Sequence, residues 1–368
     1  MNGPETKSID NGLDLARVPP IFRPFAAALI GTPGADEALI RLLGTIGERA
    51  PHEAAESFAL QLRRSLPDSA FLRRVTDVYL RKTYPAWYIH AVNDRHRNAA
   101  YERALLRLVT PESIVIEAGT GSGLFAMLAA RAGAKHVYTC EISPEVAEMA
   151  TENIERNRLS DRVTVLNVRA EALHEIRGIP KGDLLIHEFV SGEFLNAGIH
   201  STIAGFRKSL LKPGAHVLPQ YLGARGMLVG DEWLMDQVRV PTLVAGLDLV
   251  GINRLAPYAA AVAGPVPLEF PMSRAINLIE FDLCGPCEIE SRTSVHKLTA
   301  LADGIVQGLL QWVVQRFPDG SVYENRPEFR CNWKPIFWPF RTPRAVRAGD
   351  LIAVSVVNTA TELFIEDA

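Results

Sequence analysis

Ser113-Ile-Val-Ile-Glu-Ala-Gly-Thr-Gly-Ser-Gly123 is the stretch that decides the fold. A short apolar run ends in glycines at 119, 121 and 123, and an alanine-rich segment follows to Ala132, with Gly133 placed as a C-cap. That order predicts a strand, a tight turn and a helix. Glycines at such a turn let the backbone approach a ligand and leave helix N–H groups pointing at it. The spacing is not the dinucleotide pattern G-x-G-x-x-G, which needs a glycine where Leu124 stands.

Working downstream, residues 137–140 form a second short apolar run, ending at Glu141. Pro144 sits where a helix to about Asn157 would begin. Residues 163–166 and 183–186 are two further strands, the last ending at His187-Glu188. Short apolar strands alternating with helices predict a parallel α/β sheet. An acid at the end of the second strand, Glu141, can accept both hydroxyls of a ribose. Glu117, just before the glycines, can meet the charged end of a cofactor.

Upstream, residues 1–20 read as a polar arm and residues 24–81 as helical. Leu39, Leu42 and Leu43 recur at helical spacing, as do Phe58, Leu62 and Leu66. Pro51 and Pro67 divide the stretch into four short helices. Residues 84–109 read as a further helix pair carrying Trp87, Tyr88, Asp94, Arg97 and Tyr101. Beyond residue 215, β-like runs at 216–218, 221–229, 275–283, 305–316, 336–340 and 351–357 lie between Pro, Gly and Asp turns. Three parts are expected: a helical N-terminal region at 1–110, a Rossmann-like α/β cofactor domain at 111–215, and a β-barrel-like domain at 216–368.

Composition excludes several classes. The 368 residues are 48% hydrophobic and 22% charged, which is globular rather than disordered. A formal net charge of −3 supplies no general field for nucleic acid. Four cysteines are too sparse for a secreted disulfide framework. No long apolar run or signal-peptide core is present, so the expected location is the cytoplasm, with no membrane partner. Cys284-Gly-Pro-Cys287 matches a redox tetrad, but that motif needs a helix after it, and residues 288–294 read as strand. A Gly-Pro turn in a hairpin is the expectation. Cys140 and Cys331 stand alone, so no zinc site is expected. No Asn/Asp-Pro-Pro-Tyr-like tetrapeptide follows the fourth strand, which sets aside base-flipping nucleic-acid methylation.

Residues 115–124 resemble the first motif of class I S-adenosylmethionine-dependent methyltransferases. Leu128-Ala-Ala-Arg-Ala-Gly-Ala134, followed by 137–141, is similar to the protein arginine N-methyltransferases. Asp94-x-x-Arg97-Asn98-x-x-Tyr101 resembles the helix before the first strand in that family, nearest the monomethylating branch. The resemblance, spanning roughly residues 84–357, implies S-adenosylmethionine as cofactor. It assigns Arg97 to the cofactor carboxylate, a task suited to a guanidinium fork. It assigns Gly119, Gly121, Gly123, Glu117 and Glu141 to the cofactor cradle, Glu171 to the adenine amino group, and Tyr88, with Trp87, to the segment that folds over the cofactor.

Residues 187–197 resemble the family's two-glutamate loop, which holds the substrate guanidinium. Glu188 fits the first glutamate. The second falls at Ala197, and Glu193, an acid seen in the monomethylating branch, stands in for it if the loop is shorter. Residues 330–334 resemble the family's Thr-His-Trp loop, with Cys331 for Thr and Asn332 for His. Trp333 can still wall the arginine slot, but Asn332 cannot act as a base. The resemblance implies methyl transfer to a guanidino nitrogen, with a monomethyl product. The altered loops favour free arginine or a small guanidine, as in bacterial natural-product relatives, over protein or peptide arginine. An inactive cofactor-binding partner and a methyltransferase for another acceptor are the other readings. The family dimerises through an arm, for which 230–265 is the candidate here, with Val240, Leu243 and Leu247.

Overall fold

Buried on both faces and threaded through by the glycine turn, strand β1 (Ile114–Ala118) is the middle of a five-stranded sheet. On one side lie β2 (His136–Cys140) and β3 (Val163–Leu166), and on the other β4 (Gly182–His187) and β5 (Leu211–Leu218). All four ladders are parallel, in the order β3-β2-β1-β4-β5. The chain moves outward from β1 in one direction and then returns to β4 on the other side. The topological switch point therefore lies between β1 and β4, where open α/β sheets open a crevice at their carboxyl ends. The strand at 216–218, grouped in the sequence reading with the β half, is the end of β5 and belongs to this sheet. Its isolation after Pro213-Gly214 hid the continuity.

The computed structural model describes residues 13–65, 69–81, 87–188, 199–285, 291–359 and 362–368. These fall into two compact units, residues 1–89 and 90–368. The first unit holds four helices, α1 (Arg23–Leu29), α2 (Ala35–Gly47), α3 (His52–Ser65) and α4 (Ala70–Leu80). Their apolar stripes enclose a separate core of Phe22, Leu39, Leu43, Phe58, Leu62 and Leu72, with Phe22 and Phe58 stacked at 4.5 Å. Helix α5 (Trp87–Asn93) spans the boundary between the units.

In the second unit, α6 (Arg95–Leu108) starts at an Asp94 N-cap whose side chain accepts the Arg97 N–H. Helix α7 (Leu124–Arg131) starts at Gly123, with φ +81°, a conformation that strains any side chain bearing a Cβ. Helix α8 (Pro144–Arg156) has proline in its first turn, as the sequence predicts, and Ser143 as N-cap. Helix α9 (Ile199–Ser209) leads into β5.

The β half holds β6 (Tyr221–Val229), the short helix α10 (Glu232–Met235), the two-residue strands β7 (Leu243–Val244), β8 (Leu247–Asp248) and β9 (Ala260–Ala261), and then β10 (Ile276–Asp282), β11 (Arg292–Thr299), β12 (Gly304–Arg316), β13 (Val322–Glu324), β14 (Ile336–Val346), β15 (Leu351–Asn358) and β16 (Leu363–Asp367). One antiparallel sheet runs β10-β6-β12-β14-β9, with β13 on β12, and another runs β11-β15-β16. Gly308 is required where β12 meets β14, because a Cβ there would lie 2.3 Å from the Trp338 carbonyl oxygen. Strand β14 continues six residues beyond the expected Phe340. Pro343 falls where the register with β12 shifts between Val306 and Gly308, so no ladder N–H is needed there.

The hairpin expected at Cys284 is not formed. Strand β10 pairs with β6 and β11 with β15, so the turn at Cys284-Gly285 connects two sheets. Pro286 and Cys287 lie outside the described residues. No helix among the described residues is long and apolar enough to cross a membrane.

Candidate active site

The crevice at the switch point is lined first by the turn after β1. Gly119, Gly121 and Gly123 all have positive φ, at +86°, +50° and +81°. The N–H groups of Gly119 and Thr120 donate to the Cys140 carbonyl at 3.1 and 2.8 Å, tying the turn to the end of β2. The space a Cβ would enter at Gly121 is open, with nothing within 4 Å. Glu141, directly after β2, accepts from the Gly121 N–H and the Ser143 N–H, each at 3.1 Å. Two ionised carboxylate oxygens have about four acceptor positions, so Glu141 keeps acceptors for a ribose.

Glu117 is fully buried beneath the turn. The Thr139 hydroxyl donates to its Oε2 at 2.6 Å, and Thr120 and Thr139 share a further hydrogen bond of 2.6 Å. Removal from water pushes its carboxyl up to about 8, with the neighbouring Glu141 and Glu188 adding to the rise and the Thr139 hydrogen bond opposing it. It can meet a cationic group at the cofactor's charged end.

At the end of β4 stands Glu188, half-buried. Its Oε1 accepts from Arg97, whose guanidinium is buried at the first turn of α6. The same guanidinium donates to Asn98 Oδ1 at 3.2 and 3.1 Å and lies 4.9 Å from the centroid of the Phe125 ring. Burial lifts the Glu188 carboxyl above its usual range, and the Arg97 charge pulls against that rise. Tyr101, one turn further along α6, stacks on Phe125 at 4.0 Å and donates its hydroxyl to the His187 carbonyl at 2.9 Å. Helix α6 is thereby fixed to the end of β4.

The β half closes the other side through Asp94. Its Oδ1 caps α6 at Arg97 N, 3.0 Å away, while its Oδ2 accepts from the Tyr323 hydroxyl at 2.6 Å and the Asn332 N–H at 2.9 Å. Tyr323 packs edge-on against buried Trp333, with centroids 5.6 Å apart. Asn325 anchors the loop by donating to the Trp333 carbonyl at 3.2 Å. Burial and the nearby Asp94 hold the Tyr323 hydroxyl far above its ordinary pKa, and they push the Cys331 thiol up to about 12. Cys331 is therefore no thiolate nucleophile.

Of the residues singled out from sequence, Arg97, Glu117, Gly119, Gly121, Gly123, Glu141 and Glu188 come together around the crevice, with Asn332 and Trp333 joined to them through Asp94. Glu171 sits on a 3-10 turn (Ala170–Glu175), exposed and 3.6 Å from Arg169. Tyr88 is half-buried on α5, at the end of the first unit. Glu193 and Ala197 lie outside the described residues. Sequence reading did not single out Asp94 as a hub, although its place three residues before Arg97 is an N-cap signal. Tyr323 carried no local signal at all.

These features define a class: a parallel sheet with its glycine turn and strand-end acids at the switch point, joined to an antiparallel β half, is the architecture of the class I S-adenosylmethionine-dependent methyltransferases that carry a β domain. The family model described as ribosomal protein L11 methyltransferase matches residues 101–185. An arginine N(omega)-methyltransferase of Streptomyces achromogenes subsp. streptozoticus is 34% identical over 280 residues, covering 74% of this chain and 76% of the relative. Protein arginine N-methyltransferase 1 of Saccharomyces cerevisiae is 27% identical over 299 residues, covering 76% and 83%. Among solved structures, the Trypanosoma brucei protein arginine methyltransferase 1 enzyme–prozyme complex with AdoHcy superposes with a TM-score of 0.66 at 21% identity, covering 78% of this chain and 95% of that one. The chain belongs to the arginine N-methyltransferase family, whose methyl donor is S-adenosylmethionine.

Proposed function

We propose that this enzyme methylates a guanidino nitrogen of free L-arginine or a small guanidine, once per molecule. The observation that carries the reading is the Glu188–Arg97 pair. A carboxylate at the carboxyl end of β4, withdrawn from bulk water, already accepts from a guanidinium, the group that the substrate presents. The similarity to the Streptomyces protein, named for arginine itself, supports the free amino acid over a protein side chain.

The residues at the crevice suit the cofactor. Gly121 leaves room for a close approach, Glu141 retains acceptors for a ribose, and Glu117 can meet an amino group. Arg97 has N–H groups left over for a carboxylate. Glu171 would take the adenine amino group, and Tyr88 would cover the cofactor. When bound, S-adenosylmethionine supplies an electrophilic methyl group.

The chain's own part is binding, orientation and proton handling. Glu188 accepts from one face of the substrate guanidinium, with Glu193 as the second carboxylate. The pair draws positive charge away from the reacting nitrogen, leaving its lone pair to attack. Trp333 walls the slot and excludes water. The methylated nitrogen must then lose a proton. Asn332 cannot take it, and Asp94 already accepts from three donors. Glu188, whose carboxyl is raised by burial, is the acceptor suited to it.

Mass spectrometry of reactions with S-adenosylmethionine and either L-arginine or an arginine-rich peptide tests the reading. A gain of one methyl on free arginine, absent from the peptide, is expected. The reverse would make the chain a protein modifier, and cofactor binding with no gain on either would favour an inactive partner. The same proposal includes a homodimer through residues 230–265. Leu243, Leu247, Ile252 and Leu255 are exposed there, while Leu234 and Val238 anchor the segment in a small core with Phe337. A monomer mass by light scattering would remove that part.

A further inference from the structure

The loop that carries Trp333 is docked on the first turn of α6. The Asn332 N–H lies 2.9 Å from Asp94 Oδ2, and the His96 ring stacks on Phe329 with centroids 4.8 Å apart. Three exposed cations lie within two residues of that hydrogen bond: Arg95 next to Asp94, and Arg330 and Lys334 on either side of Asn332. Among the described residues none of the three is ion-paired. The one acid in the loop, Glu328, is 3.4 Å from Arg326. The chain as a whole carries a net charge of −3, so this cluster does not reflect a generally basic surface.

The positions of these cations bear on substrate choice. Trp333 is buried, and Arg97, the partner of Glu188, lies on the turn of α6 that Asp94 caps, so the guanidinium end of a substrate belongs inside. A free amino acid bound that way presents its α-carboxylate outward after a short methylene chain. An arginine-rich peptide instead presents neutral backbone and further positive charges. Exposed cations flanking the docked Trp333 loop attract the first and repel the second.

We propose that Arg330 and Lys334 form a carboxylate-recognition site that selects free arginine over arginine in a peptide. This rests on the guanidine-methylating reading above and names its substrate class. Arg330, with a planar fork, is the stronger of the two for a carboxylate.

The test compares L-arginine with agmatine, which keeps the guanidinium and lacks the carboxylate. In the full-length enzyme, kcat/KM should favour arginine by about tenfold or more, the worth of a charge-assisted hydrogen bond. In Arg330→Ala that preference should fall by about tenfold, through KM for arginine rather than kcat. Lys334→Ala should lower it less, and Arg330→Lys should restore part of it. A wild-type preference that persists unchanged in the Arg330→Ala, Lys334→Ala double variant overturns the assignment. So does an enzyme that uses agmatine as well as arginine. If the wild type methylates neither small guanidine while still binding S-adenosylmethionine, the underlying reading fails first.

Discussion

The edge of the parallel sheet and the loop around Trp333 contribute to one site by different routes. Gly119, Glu141 and Glu188 each follow directly on a strand, and the switch point between β1 and β4 brings those strand ends together. Tyr323, Asn332 and Trp333 reach the same place only because a carboxylate on α6 receives two donors from the β half. The difference teaches that the sheet edge is a property of topology, whereas the opposite wall depends on a few polar contacts between distant segments. Substitutions on the two sides should therefore fail in different ways.

The largest effect is expected at the sheet edge. Glu188→Gln keeps the shape but removes the charge that holds a guanidinium. Turnover should fall by about 10²- to 10³-fold, the usual cost of a group that stabilises developing charge. Calorimetry should find S-adenosylmethionine affinity undiminished, because Arg97 is then free of its partner. Turnover near the wild-type value would remove Glu188 from the reaction.

A smaller effect is expected on the opposite wall. Tyr323→Phe deletes the hydroxyl that donates to Asp94 and leaves buried Asp94 Oδ2 with the Asn332 N–H. A lost hydrogen bond to a buried charged group costs about 1–3 kcal/mol, which urea unfolding can measure. An unchanged midpoint would mean that backbone donors alone hold the α6 N-cap to the Trp333 loop.

The sharpest test of the cradle, spread over several pH units and small within any one of them, concerns pH. The Glu117 carboxyl, held by burial at about 8 in the folded chain, titrates near its ordinary value of about 4.5 once unfolded. Between these values the folded state binds the extra proton. The stability this contributes is complete below about 4.5 and is lost as pH rises toward 8, by at most about 1.4 kcal/mol per pH unit. Glu117→Gln removes that slope. Denaturation curves from pH 5 to 9 should show the variant gaining on the wild type as pH rises, and parallel curves would contradict the buried, protonated acid.

Much of this architecture was legible in the order of residues. Short apolar runs placed β1 to β4, and the glycines after β1 and the acids after β2 and β4 marked the ends that line the crevice. Pro144 marked the start of α8. The reading went astray where a signal was local but its meaning was not. Cys284-Gly-Pro looked like a hairpin, yet strand partners are chosen by the sheet as a whole. The β-like run at 336–340 looked complete at Phe340, yet β14 continues across a register shift, where the N–H missing at Pro343 costs nothing.

The sequence by itself determined the strands, helices and caps, and the types of side chain placed at each strand end, because periodicity and capping act over a few residues. Tertiary structure alone decided which of those groups meet. Arg97 pairs with Glu188 across 91 residues, and Asp94 with Tyr323 and Asn332 across 229 and 238. The physical reason is that burial in a shared low-dielectric crevice, unlike helix or strand formation, obliges each charge or donor to find a partner from whichever segment the fold delivers.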